Sequence, residues 1–123
     1  MNKEQVMCFI REHYRTNGEH PWMKYPNYTV YRHCKNRKWF AVVMEIPKST
    51  LGIEGNGSID ILNVKCGPII LGSLRKEKGF YPAYHMNKVN WITVALDDTV
   101  DDEKIRWLIH MSFELTDNKK KQN

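Results

Sequence analysis

Phe80-Tyr-Pro-Ala-Tyr-His-Met-Asn-Lys-Val-Asn-Trp-Ile-Thr-Val-Ala-Leu96 is the stretch that decides the architecture. Trp91 to Leu96 is dense in β-branched and apolar residues and reads as a strand. Met86 to Asn90 is the turn before it, and residues 80–84 form a short edge strand ahead of that turn. Thr99 and Asp102 then fit the pattern that opens a helix, with Ile105, Leu108, Ile109 and Ser112 along its inner stripe. The unit is strand, turn, strand, helix.

Working outward, Gly67-Pro68 opens a short helix that runs to about Lys76, because proline at a first helical position forgoes an N–H that is unpaired anyway. Before it, Ser58 to Cys66 alternates as a strand, with Ile59, Ile61 and Val64 expected on one side. Residues 47–57 hold Pro47, Gly52, Gly55 and Gly57 and form a loop, and Asn56-Gly57 is a turn signal. Tyr28–Cys34 and Trp39–Ile46 flank the polar turn Lys35-Asn36-Arg37-Lys38, which makes a β-hairpin. Residues 19–27 are an irregular connector from which Trp22 packs back on the core. Asn2 to about Thr16 is a helix with Val6, Phe9, Ile10 and Tyr14 on one stripe. Asn2 and Gln5 form a capping box there, and Asn17-Gly18 stops the helix. The order α-β-β-β-α-β-β-α predicts an α+β fold in one compact domain: a mostly antiparallel sheet flanked by helices on one face.

The opening run also resembles the signature of the MmcQ/YjbR family, small bacterial proteins usually labelled DNA-binding. Tyr84, His85, Met86, Asn87, Lys88 and Trp91 match its run, and the helix from Val100 to Leu115 ends in Ser112-Phe113-Glu114-Leu115, a version of its closing motif. Pro21-Trp22, Tyr31-Arg32-His33 and Lys38-Trp39-Phe40-Ala41 fit upstream. The resemblance spans residues 1–116, with Asn90 where the family usually has His and Asp97-Asp98 where it usually has Asp-Gly. It implies a frataxin-like (CyaY-like) fold and a "double wing" of two exposed hairpins that contact DNA.

Length and composition set the frame. A chain of 123 residues that is 41% hydrophobic can build one real core. No apolar run approaches the roughly 20 residues that cross a bilayer, and the polar, helix-like start is no signal peptide. The expected location is cytoplasmic, with no membrane partner. The net charge is +5. Lys119, Lys120 and Lys121 supply three of those charges in residues 117–123, expected to be a disordered basic tail. Residues 1–118 then hold 16 basic against 14 acidic side chains, a narrow surplus for a duplex binder. Cys8, Cys34 and Cys66 form neither a disulfide framework nor a zinc knuckle, being odd in number and without a CxxC pair. They read as thiols in a reducing compartment.

Three constellations carry chemistry. Arg32, Lys35, Arg37 and Lys38 sit on or beside one hairpin turn, and His85, Asn87 and Lys88 sit on a second that ends at Trp91. Hairpin tips of this kind lay cations along phosphates. The opposing readings are solvated turns, an Asn87 that caps its own backbone, and a Trp91 in the core or at its edge. Asp97, Asp98, Asp101, Asp102 and Glu103 read as carboxylates at a helix start rather than as a metal site. Residues 52–58 are a flexible turn, since they precede a strand and lack the Gly-Lys-Ser/Thr ending of a phosphate loop. No nucleophile motif or His-Glu-x-x-His pattern exists. The expectation is therefore a non-enzymatic protein without cofactor or metal that binds double-stranded DNA through phosphates. The alternative is a protein-interaction or adaptor domain anchored by exposed aromatics, followed by small-molecule or metal binding.

Overall fold

In the computed structural model, which describes residues 1–117, five strands form one sheet in the order β1-β2-β3-β5-β4, every neighbouring pair antiparallel. Chain order is α1 (Lys3–Tyr14), β1 (Thr29–Arg32), β2 (Trp39–Pro47), a 3-10 turn (Lys48–Leu51), β3 (Ser58–Lys65), α2 (Pro68–Leu74), β4 (Phe80–Pro82), β5 (Trp91–Ala95) and α3 (Asp102–Leu115). The α+β architecture and the element order are those expected from the sequence. The tail expected at 117–123 lies outside the described residues apart from Asp117.

Strand alternation divides the core in two. On one face Ala41, Val43, Leu62, Val64, Ile92 and Val94 meet all three helices, through Val6 and Ile10, Leu71 and Leu74, and Ile105, Leu108 and Ile109. Burying each Val, Leu or Ile side chain there stabilises by about 1.5–3 kcal/mol. On the other face Val42, Met44, Ile46, Ile59, Ile61 and Ala95 are covered by no helix. Loop side chains cover them instead, among them Trp22, Leu51, Ile53, Tyr84 and Met86. Val64 therefore points away from Ile59 and Ile61, not with them as expected, because odd and even positions of a strand face opposite ways.

A β-bulge shapes the first hairpin. Tyr31 pairs with Ala41 but Arg32 pairs with Trp39, so Phe40 is the extra residue. The bulge turns Phe40 and Ala41 to the same, helical side. There Phe40 meets Tyr14, His33 and Phe113 at centroid distances of 5.6, 5.4 and 5.0 Å.

Element ends differ from the sequence expectation where side chains bond locally. Asn2 and Gln5 do form the capping box, with both bonds at 2.8 Å. The helix stops at Tyr14, with Arg15 in the left-handed region at φ 51°, so Asn17-Gly18 is not its stop. α3 starts at Asp102 with Asp101 at the cap, not near Thr99. The Asp97 carboxylate accepts the Thr99 N–H at 3.1 Å and holds that segment as a turn. Asp102 and Glu103 do sit in the first helical turn, where carboxylates favour the partial positive charge. Asp102 also bonds the Met1 amine at 2.5 Å.

Candidate functional site

Two connections converge on one end of the sheet. β1 and β4 end there, β2 and β5 begin there, and β3 finishes between them at Lys65. Residues 33–38 and 83–90 thus emerge side by side, on strands β2 and β5 that lie about 10 Å apart across β3.

The first connection is tied to the end of α3. His33 sits beneath it, buried, its Nε2 at 2.9 Å from the Phe113 carbonyl and 2.7 Å from the Thr116 hydroxyl. The Asn36 amide donates to the Thr116 carbonyl at 2.8 Å, and its Oδ1 accepts the Lys38 N–H at 2.8 Å. Ser112 completes the joint by donating to the Phe40 carbonyl at 2.6 Å and accepting the Lys65 N–H at 2.8 Å. The Ser112-Phe113-Glu114-Leu115 motif is thus a clamp between helix and hairpin.

The cations of this hairpin are unequal. Arg37, at φ 64°, donates to Glu19 at 2.8 Å. Arg32 Nε lies 3.3 Å from the same carboxylate, without hydrogen-bond geometry, and its guanidinium sits 5.5 Å from the Trp39 ring centroid. One glutamate thus serves two of the four cations expected on phosphates. Lys35 is exposed and Lys38 half-buried. A hollow of about 490 Å³ lies between this tip and α3, bordered by His33, Lys35, Phe113 and Asp117.

The second connection is tied to the sheet. Asn63 is fully buried on β3, and its amide donates to the Tyr84 carbonyl at 3.0 Å. Thr93 donates to Asn63 Oδ1 at 2.5 Å and accepts the Tyr84 N–H at 2.9 Å. This buried polar triangle holds the loop at Tyr84. The next residue, His85, is exposed and adopts φ 59°, a left-handed backbone costly for a residue with a side chain. Its ring leans on Tyr84 with centroids 4.0 Å apart. Asn87 Oδ1 accepts the Val89 N–H at 2.8 Å and its carbonyl accepts the Trp91 N–H at 3.0 Å, so Asn87 builds the turn. Lys88 is exposed, and its carbonyl is held by the Arg75 guanidinium from the end of α2. Trp91 is buried, 9% exposed, on the face of Thr93 and Ala95.

Of the eight residues expected to meet DNA, the structure groups Lys35, Lys38, His85 and Lys88 at or near the surface of one sheet end. Arg32 and Arg37 are engaged with Glu19, Asn87 with its own backbone, and Trp91 with the interior. Sequence reasoning missed Lys65 and Arg75, which the topology brings to this end. It also missed Asn63 and Thr93; the signal was a lone polar residue, Thr93, in the apolar strand β5, whereas Asn63 is one of several polar residues in β3. The described residues hold no group of three metal-ligating side chains. No described helix is long and apolar enough to cross a membrane.

An antiparallel five-stranded sheet with helices on one face and paired hairpin connections at one end defines a small α+β domain whose polar chemistry sits on loops. The chain belongs to the YjbR family, whose model matches residues 11–115. It is 41% identical to the uncharacterized protein YyaQ of Bacillus subtilis (strain 168), an alignment covering 94% of this chain and 98% of that protein. A crystal structure of a Pseudomonas syringae protein superposes with a TM-score of 0.93 at 45% identity, covering 95% of this chain and all of the other. A Deinococcus radiodurans protein shares the fold, with a TM-score of 0.66 at 22% identity, over 89% of this chain and 79% of that one.

Proposed function

We propose that this domain is a non-enzymatic nucleic-acid-binding module that lays one end of its sheet along duplex phosphates. The observation that supports this reading is the convergence of the two connections, which brings the exposed Lys35 and Lys88 to the same end of the sheet. Phosphate contacts need cations in register with a backbone and no particular base edge, so binding is weakly sequence-dependent and strongly salt-dependent. The working cations are Lys35 and Lys88; Arg37 contributes less because Glu19 already neutralises it.

A labelled duplex titrated at two salt concentrations tests this. Lys88→Ala lowers the salt slope by about 0.9, the share of one neutralised phosphate, at unchanged melting temperature. An unchanged slope in both Lys88→Ala and Lys35→Ala removes the reading. Binding to duplex at neither salt concentration favours an adaptor. That second reading draws on Glu19, which blunts the first hairpin, and on Met23 at 98% exposure beside Tyr25 at 49%.

A further inference from the structure

The face of the sheet without helices carries a feature that phosphate binding leaves unused. Residues 20–28 and the loop at Tyr84 and His85 cover it, and between them lies a hollow of about 250 Å³ bordered by Trp22, Tyr25, Tyr28, Met44 and His85. The rings pack on one another. Trp22 stands edge-on to Tyr28 and to Trp39, at 5.8 and 5.6 Å, and Tyr25 stacks on Tyr28 at 4.7 Å. A second hollow of about 380 Å³ continues past His85 and is bordered by Thr50, Tyr81, Tyr84 and Lys88. His85 borders both, and it is the one residue of their walls held at positive φ. Strain of this kind collects where a backbone is shaped for a ligand.

The chemistry of the walls selects the occupant. Aromatic rings with a thioether at the floor suit a flat, polarizable ring. No carboxylate borders either hollow, and the charged side chain at their rim is Lys88. A quaternary ammonium, the other common guest of aromatic rings, would face that lysine. A planar base that carries a phosphate satisfies both parts, ring on rings and anion on cation. Burial, with the neighbouring Tyr84 and Tyr25 phenols, pushes the Tyr28 hydroxyl up to about 12, so it stays a neutral hydrogen-bond donor.

We propose that this aromatic hollow binds the base of an unpaired nucleotide, with its phosphate on Lys88. A base inside a duplex cannot reach it without leaving the stack, so the ligand is either a free nucleotide or a nucleotide of a single strand. The site shares Lys88 with the duplex reading and is otherwise independent of it.

The test is an NMR titration of the isotope-labelled protein with adenosine monophosphate, with ribose 5-phosphate, and with a short single strand of thymidines. The expected result is saturable shifts at residues 22–28 and 84–88 with the nucleotide and not with ribose phosphate. Tyr25→Ala, at a half-exposed ring, weakens nucleotide binding about tenfold, the loss of one stacked face, and leaves duplex affinity unchanged. Binding of the strand as well as the monophosphate identifies single-stranded nucleic acid as the source; binding of the monophosphate alone identifies a free nucleotide. Equal binding of ribose phosphate, shifts elsewhere on the protein, or an unaltered Tyr25→Ala titration overturns the proposal. Loss of duplex binding in Lys35→Ala with nucleotide binding intact leaves it standing, which separates the two readings.

Discussion

The two hairpin connections look alike in sequence and differ in every interaction that matters. Both are short, polar and basic. The first is fastened to a helix through His33, Asn36 and Thr116, and its arginines lie on Glu19. The second is fastened to the sheet through Asn63 and Thr93, and presents Lys88 beside a strained His85. A charge count treats them as equal wings. The lesson is that a cation is available to a ligand only to the extent that the fold has not already used it.

The largest expected effect lies where the second connection enters its strand. Trp91→Ala removes a buried ring and should destabilise by about 3–5 kcal/mol in urea unfolding. A near-neutral result would return Trp91 to the ligand surface and blur the contrast. Next comes the polar triangle. Thr93→Val keeps the shape but removes a hydroxyl that serves both Asn63 and the Tyr84 amide, at a cost of about 1–3 kcal/mol. Faster hydrogen exchange at Tyr84 should accompany it, with the first hairpin unchanged; equal loosening of both would mean that they are not separate units.

The third test turns on pH. Burial lowers the pKa of His33, against a smaller upward pull from the Phe113 carbonyl. The unfolded chain therefore takes up a proton near the ordinary value of about 6.5, while the folded chain resists until its lower value. Stability is full above pH 6.5, falls as the pH drops through that window, and levels off below the folded pKa. His33→Asn should flatten that slope in pH-dependent unfolding, and an unaltered slope would mean that His33 is not the group that carries it. The smallest effect is on the rim. Arg37→Ala should lower the duplex salt slope by less than Lys88→Ala does, and equal decreases would erase the difference drawn between the connections.

Much of the fold was legible because local patterns report burial directly: a continuous apolar, β-branched run in Trp91 to Leu96 and a period of 3.6 in α3. The capping box at Asn2 was legible because both partners are local. The late start of α3 was not, since Asp97 holds Thr99 in a turn that competes with helix. Phe40 reads as one more apolar strand residue, and only the pairing reveals the bulge. At the site, the positions of Lys35 and Lys88 followed from their turns. The engagement of Arg32 and Arg37 did not, because Glu19 lies 13 or more positions away in the chain and meets them only through the fold.

The outer margin of β1 has a consequence for how this protein meets others. Glu19 exchanges both backbone bonds with Val30 at 2.8 Å, His20 engages the Tyr28 carbonyl at 3.2 Å, and Thr16 donates to the Arg32 carbonyl at 3.1 Å. At the opposite margin β4 is three residues long and ends in Pro82, which has no N–H to offer. Both borders of the sheet are thus sealed against strand addition, the route by which exposed edges recruit neighbours into fibrils or swapped assemblies. A visitor to the margins of this sheet meets side chains, because the backbone described there leaves it no ladder to climb.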